Sequence, residues 1–129
     1  MTPRRGYAEG PFGQIHFQDT GENRTTLVLF SQSPLTSGQF DYVYPLLAQV
    51  GVRTIGIDTP GFGMSDPPPS PPVIGDFSTS VPAVLDHLGI KAAHVGGHHT
   101  GCKIAMEAAI AYPDRVLSVV LSGPGPMSP

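Results

Sequence analysis

The sequence predicts an α/β fold, a mostly parallel twisted sheet with helices on both faces. Short apolar runs such as Thr26-Leu27-Val28-Leu29-Phe30 alternate with segments whose apolar residues recur at helical spacing. The glycines and prolines gather at the boundaries of these segments and in one cluster, where they punctuate the chain. Residues 93–101 read as strand, sharp turn and helix, and two glycines frame the turn in Gly97-His98-His99-Thr100-Gly101.

An antiparallel edge strand is expected near Tyr7. Gln14 to Asp19 alternates polar and apolar residues, which predicts a half-exposed strand before Thr20-Gly21. Thr26 to Phe30 is uniformly apolar after Thr26, the pattern of a strand buried on both faces. Phe40, Val43, Leu47 and Val50 are spaced for one helical face; Pro45 suits a start at Tyr44, and Gly51 follows as a C′ residue. Val52 to Asp58 is the next buried strand, and Asp66 to Pro72 is a proline-dense, extended loop. Phe77, Val81, Val84, Leu85 and Leu88 mark a helix, regular from Ser80 and stopped by Gly89. Ala92 to Gly97 is a strand, and the alanine-rich run Thr100 to Tyr112 is a helix ended by Pro113. Val116 to Ser122 is a final strand before a Gly/Pro-rich tail. Strands alternating with helices imply right-handed crossovers and one domain over residues 1–129.

The bulk numbers exclude some functions. A net charge of −3 with only seven Lys and Arg leaves no footprint for nucleic acid, and no basic run suits an anionic membrane. No apolar stretch approaches the length of a membrane span. Arg4 and Arg5 are not followed by an apolar run, so the N-terminus does not read as a signal peptide. One cysteine precludes an internal disulfide, and the expected compartment is the cytoplasm.

Four segments carry a family resemblance. They are Gly13 to Gly21, the loop Asp58-Thr59-Pro60-Gly61-Phe62-Gly63-Met64-Ser65-Asp66, the helix end Val84-Leu85-Asp86-His87-Leu88-Gly89-Ile90, and Tyr112-Pro113-Asp114-Arg115-Val116. With the glycine-framed turn, and in this order, they make the chain resemble the α/β-hydrolase family, in particular its epoxide-hydrolase, dehalogenase and esterase-like branch. The resemblance runs from Gly13 to Pro124 and implies a truncated α/β-hydrolase fold, about half of a domain that commonly exceeds 200 residues. It places the family's cap, remaining strands, and catalytic acid and base beyond Pro129.

The chain departs from the family at the site itself. The nucleophile position of the Gly-x-Nu-x-Gly turn holds His99. Where the family has His-Gly after its third strand, this chain has Ser31-Gln32, then Ser33-Pro34. The candidate catalytic residues are therefore His99, Thr100 and Ser33. A neutral imidazole attacks activated esters directly, or serves as general base, and the acyl-imidazole formed is itself labile. The amides of Thr100 and Ser33 are the expected oxyanion donors. Gln32, Pro34 and His98, which flank these three, are the candidate substrate-binding residues.

Other chemistries fit less well. His98 and His99 are sequence neighbours whose side chains diverge, and His94 is separated from them by strand geometry, so no metal site is expected. Gly96 to Lys103 misses a P-loop by one residue, because Cys102 separates Gly101 from Lys103. The Gly-x-Gly-x-x-Gly dinucleotide pattern is absent, and no cofactor is expected. Asp58 reads as a turn residue bonding its loop's backbone, Cys102 as a small packed residue, and the Pro67 to Pro72 cluster as a spacer.

Three readings of function remain. In the first, the chain is a hydrolase-like enzyme using His99 on a small apolar carbonyl or ester substrate. In the second it is a non-catalytic relative that binds a ligand or partner at the elbow. In the third it is a fragment active only when completed by a C-terminal half. The Val116–Leu121 strand lacks lysine and proline and is expected to be a sheet edge through which the chain forms a homodimer.

Overall fold

The structure is a computed structural model and describes residues 2–123. One six-stranded sheet organises it, built from β1 (Arg4–Gly10), β2 (Gly13–Asp19), β3 (Thr25–Phe30), β4 (Val52–Ile57), β5 (Ala93–His98) and β6 (Val116–Ser122) in the order β1-β2-β4-β3-β5-β6. The β1–β2 and β2–β4 pairs are antiparallel, and β3–β4, β3–β5 and β5–β6 are parallel. The sheet is thus mostly parallel, with the Tyr7 strand at one antiparallel edge and β3 beside β5, as the sequence predicts. The four helices are α1 (Tyr44–Gln49), α2 (Ile74–Ser78), α3 (Ser80–Leu88) and α4 (Thr100–Ala111). The tail from Pro124 to Pro129 lies outside the described residues.

Strand alternation sorts the side chains into two faces. Val28 and Phe30 of β3, Ile55 and Ile57 of β4, and Ala93 and Val95 of β5 meet Val81, Val84 and Leu85 of α3 and Ile104, Ala105 and Ala108 of α4 in one core. Most of these side chains are fully buried, each contributing about 1.5–3 kcal/mol for the larger apolar ones. Thr54 and Gly56 of β4 point the other way, where the Tyr44 hydroxyl fills the space a side chain on Gly56 would need.

Three expectations are corrected. Gln14 to Asp19 is largely buried, because its polar residues find partners: His16 meets Asp58, and Asp19 accepts two hydrogen bonds from Arg53 at 2.9 and 2.7 Å. The helical face Phe40, Val43, Leu47 and Val50 does not form. Ser37–Phe40 is a 3₁₀ turn, α1 is short, and Val50 is 69% exposed, whereas Tyr44 is buried and donates to the Ser37 carbonyl at 2.6 Å. A buried phenol with an acceptor outcompetes the apolar periodicity there. The helix expected to be regular from Ser80 and stopped by Gly89 is present as α3, but Phe77 lies in a separate short helix, α2, whose start is marked by the Asp76 carboxylate accepting the Val73 N–H at 2.8 Å. No helix among the described residues is long and apolar enough to cross a membrane.

The register places the site. Phe30 of β3 is level with Gly97 of β5, so the chain leaves both strands side by side at the carboxyl edge of the parallel strands. In open α/β sheets that edge is where ligands bind.

Candidate active site

β5 ends at His98 and α4 begins at Thr100, leaving His99 alone to reverse the chain. Its backbone sits at φ 53° and ψ −115°, and it is the only non-glycine residue with positive φ among the described residues. Such a conformation costs about 1–3 kcal/mol and persists only when its surroundings fix it. Here the His99 N–H donates to the Ser122 carbonyl at 3.0 Å, and its carbonyl accepts the Cys102 N–H at 2.9 Å. The framing glycines are required by close approach. A Cβ on Gly97 would strike the Gly101 carbonyl, and one on Gly101 would strike the Phe30 carbonyl. The sharp turn expected from the sequence is therefore present, with His99 exposed at its apex.

The side chains of His98 and His99 do not diverge as expected: the strained backbone at His99 lets the two rings pack edge to face, with centroids 4.2 Å apart. His98 is anchored across the strand, its Nδ1 lying 3.1 Å from the Ser122 hydroxyl. The only histidine paired with a carboxylate among the described residues is His16, not His99. Nor do the described residues hold a group of three or more His, Cys, Asp or Glu placed for a metal ion. Cys102 is buried, its thiol donating to the Gly97 carbonyl at 3.2 Å, which is the packed role expected of it.

Among the described residues, one side-chain hydrogen bond links the loop after β3 to the elbow. The Ser33 N–H donates to Oγ1 of Thr100 at 2.6 Å. The Gln32 N–H donates instead to Oε1 of Gln39 at 3.0 Å, and the Ser31 hydroxyl donates to the Leu35 carbonyl at 2.8 Å. Thr100, as the first residue of α4, has an amide without an intrahelical acceptor. Ser33 and Thr100 also line a mainly apolar cavity of about 230 Å³ with Ser31, Thr59, Phe62, Ile74, Phe77, Lys103 and Ile104. The structure thus brings Ser33 to Thr100 and His98 to His99. Pro34 is exposed, and neither it nor Gln32, His98 or His99 is among the residues lining that cavity.

Sequence reasoning missed one polar centre. The Asp58 carboxylate accepts the Ser37 and Met64 amides at 2.8 and 3.1 Å and lies 2.8 Å from His16 Nδ1. Burial pushes this carboxyl up, but the hydrogen bonds from Ser37, Met64 and His16 outweigh it and hold the group below the ordinary carboxylate range. Asp58 does bond its loop's backbone, as a strand-end Asp before Thr59-Pro60-Gly61 suggests. Its partner on β2 leaves no local signal, because 42 residues separate His16 from Asp58.

Comparison with known proteins agrees with this geometry. The chain is 38% identical over 120 residues to a 2-hydroxy-6-oxononadienedioate/2-hydroxy-6-oxononatrienedioate hydrolase from Paraburkholderia phymatum, covering 90% of this chain and 42% of the relative. Among solved structures, an epoxide hydrolase from an endophytic Streptomyces superposes with a TM-score of 0.87 at 28% identity, over 93% of this chain and 37% of that one. A thermophilic esterase from Thermogutta terrifontis superposes with a TM-score of 0.81 at 26% identity, over 98% of this chain and 48% of that one. The chain therefore spans less than half the length of each. A family model described as the alpha/beta hydrolase fold matches residues 25–129. The six-stranded order, the elbow at His99 and this match over most of the sequence together establish that the chain belongs to the α/β-hydrolase fold family.

Proposed function

We propose that the chain is the elbow-bearing part of a hydrolase whose reactive group is His99, acting on a small apolar ester or carbonyl substrate. The observation that carries this reading is the strained backbone of His99, held between Ser122 and Cys102 at the one position where the fold presents a nucleophile. A ring nitrogen of His99 would add to the ester carbonyl, forming a C–N bond. The C–O bond would then break, the departing alkoxide would take the N–H proton given up by the acyl-imidazolium and leave as the alcohol, and water would hydrolyse the acyl-imidazole to release the acid and restore the ring. The Thr100 amide is one donor for the oxyanion, and the Ser33 amide is the second once its present acceptor moves away. The apolar cavity beside Thr100 suits a small apolar acyl or alkyl group.

A second reading is a non-catalytic relative that binds a ligand at the elbow. The observation in its favour is that the Gln32 and Ser33 amides already have side-chain acceptors. A third, a unit completed by further chain, draws on the relatives' greater length. Kinetics with 4-nitrophenyl acetate separate the first reading from the others. His99→Ala should abolish hydrolysis above the buffer rate, and His98→Ala should leave most of it. A wild-type rate no greater than that of free imidazole at equal concentration would favour the non-catalytic reading.

A further inference from the structure

The buried His16–Asp58 pair leaves one ring nitrogen unused. Asp58 is held below the ordinary carboxylate range, so at neutral pH it is ionised and accepts only, and the proton between the two sits on His16 Nδ1. In the neutral ring Nε2 therefore carries the lone pair. It has no hydrogen-bond partner among the described residues, yet it is not sealed from solvent. The side chain that carries it is 9% exposed. Its strand is pinned there, because the His16 N–H donates to the Ser65 hydroxyl at 2.9 Å and that hydroxyl donates to the Asp58 carbonyl at 2.7 Å.

His16 opens onto a recess of about 590 Å³ whose other walls are Arg5, Tyr7 and Met64. The strand register brings them together. Tyr7 of β1 lies opposite His16 of β2, with ring centroids 5.2 Å apart, and Arg5 stands two residues earlier on the same face. Arg5 forms no ion pair among the described residues. Glu9, two residues past Tyr7 on that face, is not among the lining residues. None of the four lines the cavity at Thr100, and β4 and β3 separate β2 from the elbow strand β5.

We propose that this recess binds a phosphate monoester, with the phosphate between Arg5 and His16 Nε2 and the ester substituent against Tyr7 and Met64. The site is separate from the elbow and does not depend on the reactivity of His99. Arg5 supplies positive charge. His16 supplies an acceptor, which a carboxylate or a sulfate leaves unsatisfied because neither carries a proton at neutral pH. A phosphate monoester loses its second proton only near about pH 6. One P–OH and charged oxygens therefore coexist on the same group: the P–OH donates to Nε2, and the charged oxygens accept from Arg5.

Phenyl phosphate is the probe, titrated into the whole chain at about pH 6 and followed through the ring resonances of His16 and Tyr7. Phenyl sulfate matches the shape and charge of its monoanion but has no O–H, and should bind about tenfold more weakly. Inorganic phosphate, which lacks the aryl group, should also bind more weakly than phenyl phosphate. Arg5→Gln changes an exposed position on an edge strand. His16→Asn keeps an amide that can donate to Asp58 but lacks Nε2. Each should lower affinity about tenfold. Should His16→Asn unfold, Arg5→Gln decides alone. Equal binding of phenyl sulfate and phenyl phosphate, or unchanged affinity in Arg5→Gln, would overturn the proposal. Inorganic phosphate binding as tightly as phenyl phosphate would overturn the ester in favour of free phosphate. Rings that do not respond to millimolar phenyl phosphate would rule out the site altogether.

Discussion

His16 and Asp58 form a buried pair, Nδ1 to Oδ2 at 2.8 Å, that ties β2 to the loop after β4 rather than serving the elbow. Asp58 also holds the Ser37 and Met64 amides, so three segments converge on one carboxylate. Asp58→Ala should cost about 3–5 kcal/mol of unfolding free energy, because it strands buried donors. Urea denaturation measures this, and a loss below 1 kcal/mol would remove Asp58 from the structural framework.

The same carboxylate sets a pH dependence. Its folded value lies below its unfolded one, near 4, so the unfolded chain binds more protons as pH falls. The stability it contributes is present above the unfolded value and is lost as pH drops through the folded value. Stability measured from pH 5 to pH 2 should fall less steeply in Asp58→Asn than in the parent chain. Parallel slopes would contradict the assignment.

His99 carries backbone strain that glycine would relieve. His99→Gly should gain about 1–3 kcal/mol, whereas His99→Ala should gain little because Ala retains its Cβ. Thermal unfolding of the two variants side by side decides the point; equal midpoints would mean that the turn is not strained.

The free side of β6 is where we place a second copy of the chain. Among the described strands, β6 pairs only with β5, and Leu117, Val120 and Leu121 are 63%, 51% and 42% exposed. Val116–Ser122 has no charge or proline to discourage pairing with an identical strand. Light scattering after gel filtration should give twice the monomer mass, and Val120→Lys should return it to one. A parent chain that stays monomeric at high micromolar concentration would contradict the homodimer.

The strands and the elbow were legible in the sequence because each has a local cause. Val28 and Phe30 must be buried wherever their strand lies, and Gly97 and Gly101 mark a close approach that no other residue allows. The starts at Tyr44 and Ser80 and the stop at Gly89 were legible too, but the 3₁₀ turn Ser37–Phe40 and the short helix Ile74–Ser78 were not, since they involve the bonds of Tyr44 to Ser37 and of Val73 to Asp76. In the candidate site, sequence could nominate Ser33 and Thr100 as neighbours of His99. It could not show that one occupies the other's amide, because that contact joins the loop after β3 to the first residue of α4, which the β3–β5 register brings together.

Chemical rescue tests the role of His99 most directly. His99→Gly removes the imidazole, keeps the turn and leaves space at its apex. Added imidazole should restore 4-nitrophenyl acetate hydrolysis in His99→Gly, saturating with imidazole and exceeding imidazole's own rate in buffer, while His98→Gly shows no such response. If imidazole accelerates the reaction equally with and without the His99→Gly protein, His99 is not the reactive group.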